Sequence, residues 1–412
     1  MKTQINEFLK AHKKVRSGKR RLSDKDFIKF RSQKLENLNS LGKFFSDKKA
    51  SLDELNTIAY EFNRKEYALR KYVCIILPKG KDDYRPILAP HPRDRIMFSF
   101  ILEYLKTKLL PLINTFNIFG SGKRTDYPNI KKIIESIYLE SKKHKFILKI
   151  DISKFFPSIR KDVLSGKLDN LIDDKYILKL VRDSFNNEID IKYPRNCSPD
   201  KKTRISEDVR RGIPQGCAYS PLIANFYGIE MDEFIKNEGL VSFRYIDDML
   251  IFTESKEQAE IIFEKLKALA QEKLGLKIHE IDNKKKNKTY IQPANHTFEY
   301  LGIEINSNGT FKIPVDKIRK EINLIKLGIF NKQTIKRFSS KDVIRVLKSQ
   351  IKGWKTFYEK NFPSAYQELQ NKPCYNLSLK RYYESILYSN SKLKKDLNKV
   401  GFNISNKDVY LY

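Results

Sequence analysis

Three aspartates carry the first chemical signal in the sequence. Asp247 and Asp248 stand side by side within FRYIDDMLIF, residues 243–252, a stretch that is otherwise apolar or aromatic apart from Arg244. Asp151 closes a second apolar run, KFILKID, 96 residues before Asp247. Taking a carboxylate out of water is costly unless a cation or hydrogen-bond donors compensate it. A solvated turn explains the adjacent pair on its own terms, because aspartate suits turns. A metal site explains all three. If both runs are strands of one sheet, three carboxylates converge at one edge, repel one another and raise at least one pKa. Hard oxygen ligands suit Mg²⁺. Two such ions about 3.5–4 Å apart stabilise the attacking and leaving oxygens of an in-line phosphoryl transfer, the chemistry of polymerases and nucleases.

The elements that must position these acids are legible as periodicity. KFILKIDISKFFPSI reads as a strand carrying Asp151, and FRYIDDMLIF as strand, turn and strand. YVCIILPKG and RPILAP form a further strand pair, with RDRIMFSFILEYLKTKLLPLI a long helix after them. DNLIDDKYILKLVRDSF, SPLIANFYGIEMDEFIKNEG and SKEQAEIIFEKLKALAQEKLG each read as one helix, the second ended by Gly239. Residues 186–211 read as an irregular loop or flexible hairpin, and HTFEYLGIEI with GTFKIPV as another strand pair. No internal repeat is visible. Strands alternating with helices predict an α+β sheet domain between helical flanks.

Composition narrows the partner. The chain has 412 residues with 81 Lys and Arg against 50 Asp and Glu, a formal charge of +31. A protein this basic suits a polyanion, nucleic acid first. No apolar run approaches the roughly 18–20 residues of a membrane span, and the basic N-terminus has no apolar signal core, so no membrane partner and a cytoplasmic location are expected. Cys74, Cys197, Cys217 and Cys374 form no close pair, which fits a reducing compartment. None of the five histidines has metal-ligand spacing, and none is assigned a role.

Read together, the motifs resemble those of reverse transcriptases. KIDISKFFPSI resembles the first palm motif. GIPQGCAYSPLIANFY resembles the second, with Pro214, Gln215, Gly216, Ser220 and Pro221. YIDD resembles the Tyr-x-Asp-Asp box at Tyr245, Asp247 and Asp248. LPKGKDDYRPILAP resembles the fingers segment that clamps the incoming nucleotide, FEYLGIEI the primer-grip hairpin, NKKKNKT the lysine-bearing loop before it, and IKGWKTFY the thumb of group II intron-type enzymes. The match covers residues 72 to 360. A lone Tyr-x-Asp-Asp is weak; the full set in this order is specific.

The resemblance implies a right-hand polymerase fold: a basic helical N-terminal extension over 1–70, fingers and an antiparallel-sheet palm over 71–312, and a helical thumb and tail over 313–412. It makes Asp151, Asp247 and Asp248 catalytic, with the Ile152 carbonyl a further metal ligand, and the cofactor two Mg²⁺ ions with Mn²⁺ as an alternative. Lys79 and Arg85 would hold a triphosphate, Arg85 bidentately. Lys154, Phe155, Phe156, Gln215 and Gly216 would line the nucleotide pocket, and Lys288 would be an acid for departing pyrophosphate or a phosphate contact. Lys123, Arg124, Tyr245, Leu301, Gly302 and Trp354 would face primer and template. Phe156 lies where the family places an aromatic under the sugar, which selects deoxynucleotides; the competing reading makes either Phe155 or Phe156 a core aromatic. For Trp354 the competing reading is thumb core.

The expected partners are an RNA template, its RNA–DNA duplex and dNTPs, with a protein partner or a second copy of the chain. The length excludes a full maturase-plus-endonuclease set, and no RNase H, integrase or protease motif is visible. The Asn-Ala-x-x-His and Val-Thr-Gly signatures of retron enzymes are absent. What remains resembles the bacterial "unknown group" of defence-associated and abortive-infection enzymes, implying DNA made from a dedicated non-coding RNA in antiphage defence. Two other classes stay open: an untemplated or protein-primed nucleotidyltransferase, using a tyrosine such as Tyr410 or Tyr412, and a maturase-like splicing cofactor that grips structured RNA.

Overall fold

The computed structural model describes residues 48–78, 84–120, 130–193, 197–283, 288–314 and 357–371. Lys79, Lys123, Arg124, Trp354, Tyr410, Tyr412 and most of the expected N-terminal and thumb segments lie outside them. No helix among the described residues is long and apolar enough to cross a membrane.

The centre is a six-stranded sheet. Its strands are β3 (Ile118–Phe119), β4 (Phe146–Ser153), β6 (Ser242–Tyr245), β7 (Asp248–Thr253), β8 (Lys277–Ile278) and β9 (Tyr290–Pro293), in the order β3-β6-β7-β4-β8 with β9 also pairing β4. All pairs are antiparallel except β3 with β6. β4 and β7 are buried almost throughout, as strands covered on both faces must be. Leu148, Ile150, Leu250, Ile251 and Phe252 are at most 1% exposed. A second sheet, β2-β1-β5, joins β1 (Tyr72–Pro78), β2 (Tyr84–Ala89) and β5 (Ile189–Lys192); a third, β10-β11-β12, joins Phe298–Tyr300, Ile303–Ile305 and Phe311–Lys312. The expected strand pairs are therefore present.

Helices cover the sheets. α1 spans Lys48–Asn63 and α2 spans Pro92–Ile113, which starts with proline in its first turn and buries Met97, Phe98, Ile101, Leu105 and Leu109. α3 is Ile130–Ser141, α4 the single turn Phe155–Ser158, and α5 Lys161–Asp169. The helix expected from 169 begins instead with α6, Lys175–Phe185, because the Asp174 carboxylate accepts from the Tyr176 and Ile177 N–H groups at 3.0 and 3.1 Å and caps it there. The expected loop at 186–211 holds β5 and a helix, α7 (Pro199–Arg210). Its start signals are Ser198, whose hydroxyl accepts from Lys201 N–H, and Pro199; only Ile205 and Val209 are buried, so its apolar periodicity is thin.

The helix expected over 220–239 is two: α8 (Ser220–Tyr227) and α9 (Ile229–Asn237), broken at Gly228. A Cβ at Gly228 would sit 3.0 Å from Met231 Cε and 3.4 Å from the Arg244 guanidinium, so the break makes room for that side chain. α10 (Lys256–Leu274) runs from the Ser255 cap to left-handed Gly275 and packs on β4, β7 and β8. α11 (Pro363–Asn371) meets β12.

Candidate active site

The strand register brings the acids together. β4 and β7 run antiparallel with Asp151 directly opposite Asp248. Opposed residues share a face, with Cβ atoms about 4.5–5.5 Å apart. β6 and β7 pair through Tyr245 and Asp248, leaving Ile246 and Asp247 as a two-residue turn. The Asp247 carbonyl accepts from Ile152 N–H at 3.1 Å, which ties the turn to the strand of Asp151. Ile152 itself is 2% exposed and pairs with Ile278.

Lys149 lies two residues before Asp151 on the same face of β4. Its ammonium, on a side chain 9% exposed, is 3.5 Å from Asp248 Oδ1 and 3.5 Å from the Glu299 carbonyl oxygen. Asp248 Oδ1 is sealed from solvent without a hydrogen-bond partner, although the side chain as a whole is 27% exposed. Burial pushes the Asp248 carboxyl up to about 6; Lys149 opposes this, and the charges of Asp247 and Asp151 add to it. On the other side of Asp151, His279 Nε2 lies 3.4 Å from Oδ2 and 3.0 Å from Lys288 Nζ, and the His279 N–H donates to the Asp151 carbonyl. An Nε2 that accepts from the lysine has no proton for the carboxylate, so the tautomer decides which neighbour the ring serves.

The donor set fits a divalent cation. It consists of hard carboxylate oxygens, one of them buried and short of a donor, in a cluster where burial and mutual charge oppose ionisation of Asp248. Among the described residues no three His, Cys, Asp or Glu groups form a ready-closed cage, so the carboxylates would draw together around an ion.

Residues 77–305 match the family model described as "Reverse transcriptase (RNA-dependent DNA polymerase)", over more than half of the chain. The chain belongs to the reverse transcriptase family. It is 24% identical over 277 residues to the retron Ec73 reverse transcriptase of Escherichia coli, across 64% of this chain and 78% of that protein. It is 27% identical over 188 residues to an uncharacterized 91 kDa protein in cob intron of Schizosaccharomyces pombe, across 45% of this chain and 21% of that one. A putative COX1/OXI3 intron 2 protein of Saccharomyces cerevisiae is 24% identical over 192 residues, 46% of this chain. The chain spans about a fifth of the length of these two intron proteins. Among solved structures, apo telomerase from Candida tropicalis superposes with a TM-score of 0.45 at 10% identity, over 78% of this chain and 62% of that one.

The family's second motif is held at both ends in this reverse transcriptase relative. Gly212, at φ +58°, leaves no room for a Cβ, which would fall 1.9 Å from the Phe156 carbonyl oxygen; that oxygen accepts from Ile213 N–H at 3.1 Å. Gly216, at φ +139°, lies equally close to the Leu88 carbonyl, and Leu88 N–H donates to the Gln215 carbonyl at 2.7 Å. The loop thus spans from the Phe156 backbone to β2, the strand that carries exposed Arg85. Phe155 is 2% exposed and belongs to the core, whereas Phe156 is half-buried with its ring edge-on to Phe155 at 6.1 Å. Of the two competing positions, Phe156 is the one that reaches the surface. Lys154, in a left-handed conformation at φ +47°, points its exposed ammonium to Asp208 of α7 at 2.7 Å.

Tyr245 is half-buried, and burial followed by the Asp247 charge raises its phenol pKa. Gly120 lies against it: a Cβ there would be 3.0 Å from Ile246 Cγ1 and 3.1 Å from the Tyr245 ring. Leu301 (φ +51°) and Gly302 (φ +77°) form the two-residue turn between β10 and β11. The hairpin docks on the acid-bearing one through the Tyr300 hydroxyl, 3.2 Å from the Phe243 carbonyl and 3.0 Å from that of Asp248.

Sequence reading missed Lys149, His279 and Arg244. Lys149 had a signal: it is the charged residue within an apolar strand, two positions from an acid and so on its face. His279 had none, because the acid it meets, Asp151, is distant in sequence.

Proposed function

We propose that the chain is an RNA-directed DNA polymerase that adds dNTPs to a 3′ end. One observation carries the reading: Asp151 and Asp248 stand opposite each other on adjacent strands, with Asp247 in the turn beside them. Two Mg²⁺ ions, or Mn²⁺, would be held by Asp151 and Asp247 with Asp248 close by and the Ile152 carbonyl as a further ligand, supplying charge stabilisation to the attacking and leaving oxygens. Lys149 holds the Asp248 carboxylate from behind. Arg85 and Lys79 would meet the triphosphate, and Gln215 and Gly216 would lie along the base and sugar. Phe156 would stand under the sugar and exclude a 2′-hydroxyl. Lys288, beside His279, would hand a proton to pyrophosphate or simply contact a phosphate. Tyr245, Leu301 and Gly302 would support the primer end, with Trp354, Lys123 and Arg124 on the nucleic acid. Palm, fingers and thumb would then follow the 71–312 and 313–412 division.

The template we propose is a dedicated non-coding RNA copied in bacterial antiphage defence, in the cytoplasm. The charge of +31 supports a polyanionic partner, and the free, buried Cys74, Cys197 and Cys217 suit a reducing compartment. The test is extension of a DNA primer on an RNA template with Mg²⁺ and each dNTP, together with sequencing of the nucleic acid that copurifies. Asp247→Ala with Asp248→Ala should abolish extension and leave RNA binding in place; undiminished synthesis would overturn the assignment. Phe156→Val should raise ribonucleotide incorporation, and unchanged sugar selectivity would remove its gate role.

A further inference from the structure

Arg244 sits immediately before Tyr245 and is 0% exposed. Its Nε is 3.0 and 2.8 Å from the Asp232 carboxylate oxygens, and Nη2 is 2.6 Å from Asp232 Oδ2. Nη2 also donates to the Asn225 carbonyl at 2.9 Å, and Nη1 to Asn225 Oδ1 at 3.1 Å. The remaining bond is the informative one: Nη1 donates to the carbonyl oxygen of Ile246 at 3.0 Å. Asn225 is anchored in turn, its amide donating to the Phe119 carbonyl at 2.8 Å. The space for the guanidinium comes from Gly228, where the helix pair α8–α9 breaks.

Stability alone is a weak account of this arrangement. A buried ion pair replaced by apolar residues of similar volume often leaves a fold as stable or more so. The geometry of the turn does account for it. Ile246 is at φ +60°, a β-branched residue in the left-handed region. A positive φ at the first central residue alone is the pattern of a two-residue hairpin turn that ordinarily takes glycine there. Such conformations persist where the surroundings over-determine them, and they gather at functional sites.

We propose that Arg244 is a positioning residue for catalysis: locked on Asp232 and Asn225, it holds the Ile246 carbonyl and so fixes the left-handed turn that aims Asp247 and Asp248 at Asp151. The inference rests on the polymerase reading above and deepens it. It assigns Arg244 no contact with nucleotide or metal.

The experiment uses the full chain in three variants. Arg244→Lys keeps the buried charge on Asp232 and loses the fork to Ile246. Arg244→Met with Asp232→Leu removes the pair without leaving a lone charge. The third adds Ile246→Gly to the second. Thermal unfolding reports folding, primer extension gives kcat and the dNTP KM, and Mn²⁺ titration followed by electron paramagnetic resonance reports ion binding without turnover. Folded Arg244→Lys and the double variant should lose about 100-fold in kcat, the cost of a small misplacement of reacting groups, with KM little changed. Mn²⁺ binding should weaken about 10-fold, as when a residue supporting a ligand is lost. Ile246→Gly should recover much of both, because glycine adopts the turn unaided. Parental kcat and Mn²⁺ affinity in folded Arg244→Lys, or no recovery with Ile246→Gly, would overturn the proposal. A parent that binds Mn²⁺ but extends no primer would break the polymerase reading instead, and the Mn²⁺ titration of Arg244→Lys would still decide the positioning role.

Discussion

Two turns of the same length meet near the acid cluster, and they solve the same backbone problem differently. The turn at Ile246–Asp247 and the turn at Leu301–Gly302 each place a branched aliphatic residue in the left-handed region, at φ +60° and +51°. The second follows with a glycine at φ +77°, so both its central residues are positive, the pattern that suits a hairpin's natural twist. It has a local solution. The first follows with an aspartate and borrows its support from a buried guanidinium contributed by the strand before it. The first turn holds isoleucine where glycine would ordinarily stand, and the fold makes up the difference from its interior.

The comparison can be broken most severely at the acid. Asp248→Asn keeps the shape of the first turn and removes its charge; primer extension should fall about 10²–10³-fold, the loss expected when one fixed electrostatic contact to the reacting centre is removed. Next comes the link between the turns. Tyr300→Phe deletes the hydroxyl that reaches the Phe243 and Asp248 carbonyls, and should cost about 1–2 kcal/mol, read as a melting point lower by about 1–2 °C.

A smaller effect should appear with pH. The Asp248 carboxyl titrates near 6 in the folded chain, above its unfolded value, so the folded state binds the extra proton. Its contribution to stability is complete below the unfolded pKa, about 3.9, and is lost as the pH rises through about 6. Mg²⁺ should therefore raise the melting point more at pH 7.5 than at pH 5, and Asp248→Asn should flatten that difference. An Mg²⁺ response independent of pH would detach Asp248 from the ion. The smallest effect belongs to the self-sufficient turn: Gly302→Ala should cost about 1 kcal/mol, the price of a Cβ in the left-handed region, measured by denaturant unfolding.

The sequence made the strands of the acids legible because they are apolar runs of ordinary length; their register was not legible, because with both faces buried a one-residue slip keeps apolar side chains inside. Phe155 and Phe156 could not be told apart by pattern, since adjacent residues at a strand-to-helix junction lack a period; the structure buries one and half-exposes the other. The break at Gly228 was hidden because the apolar positions continue through it, and its cause, Arg244, arrives from a strand. The short helix α7 escaped because polar residues dominate it. His279 meets Asp151 through the β4–β8 pairing, and Lys288 meets His279 from just before β9, where neighbouring Thr289 accepts from the Asp151 N–H; no local pattern announces either.

The segment from Gly212 to Gly216 is pinned at one end to the Phe156 backbone and at the other to Leu88 of β2, with no clearance at either glycine. It is a spacer of fixed length between the Phe156 backbone and the sheet that bears Arg85. If Phe156 and Arg85 line the nucleotide site as proposed, the width of that site would be set by a residue count rather than by side-chain size. On that reading insertions here would detune both walls together, whereas exchanging the ring at Phe156 would adjust one wall alone and change which sugar the site accepts.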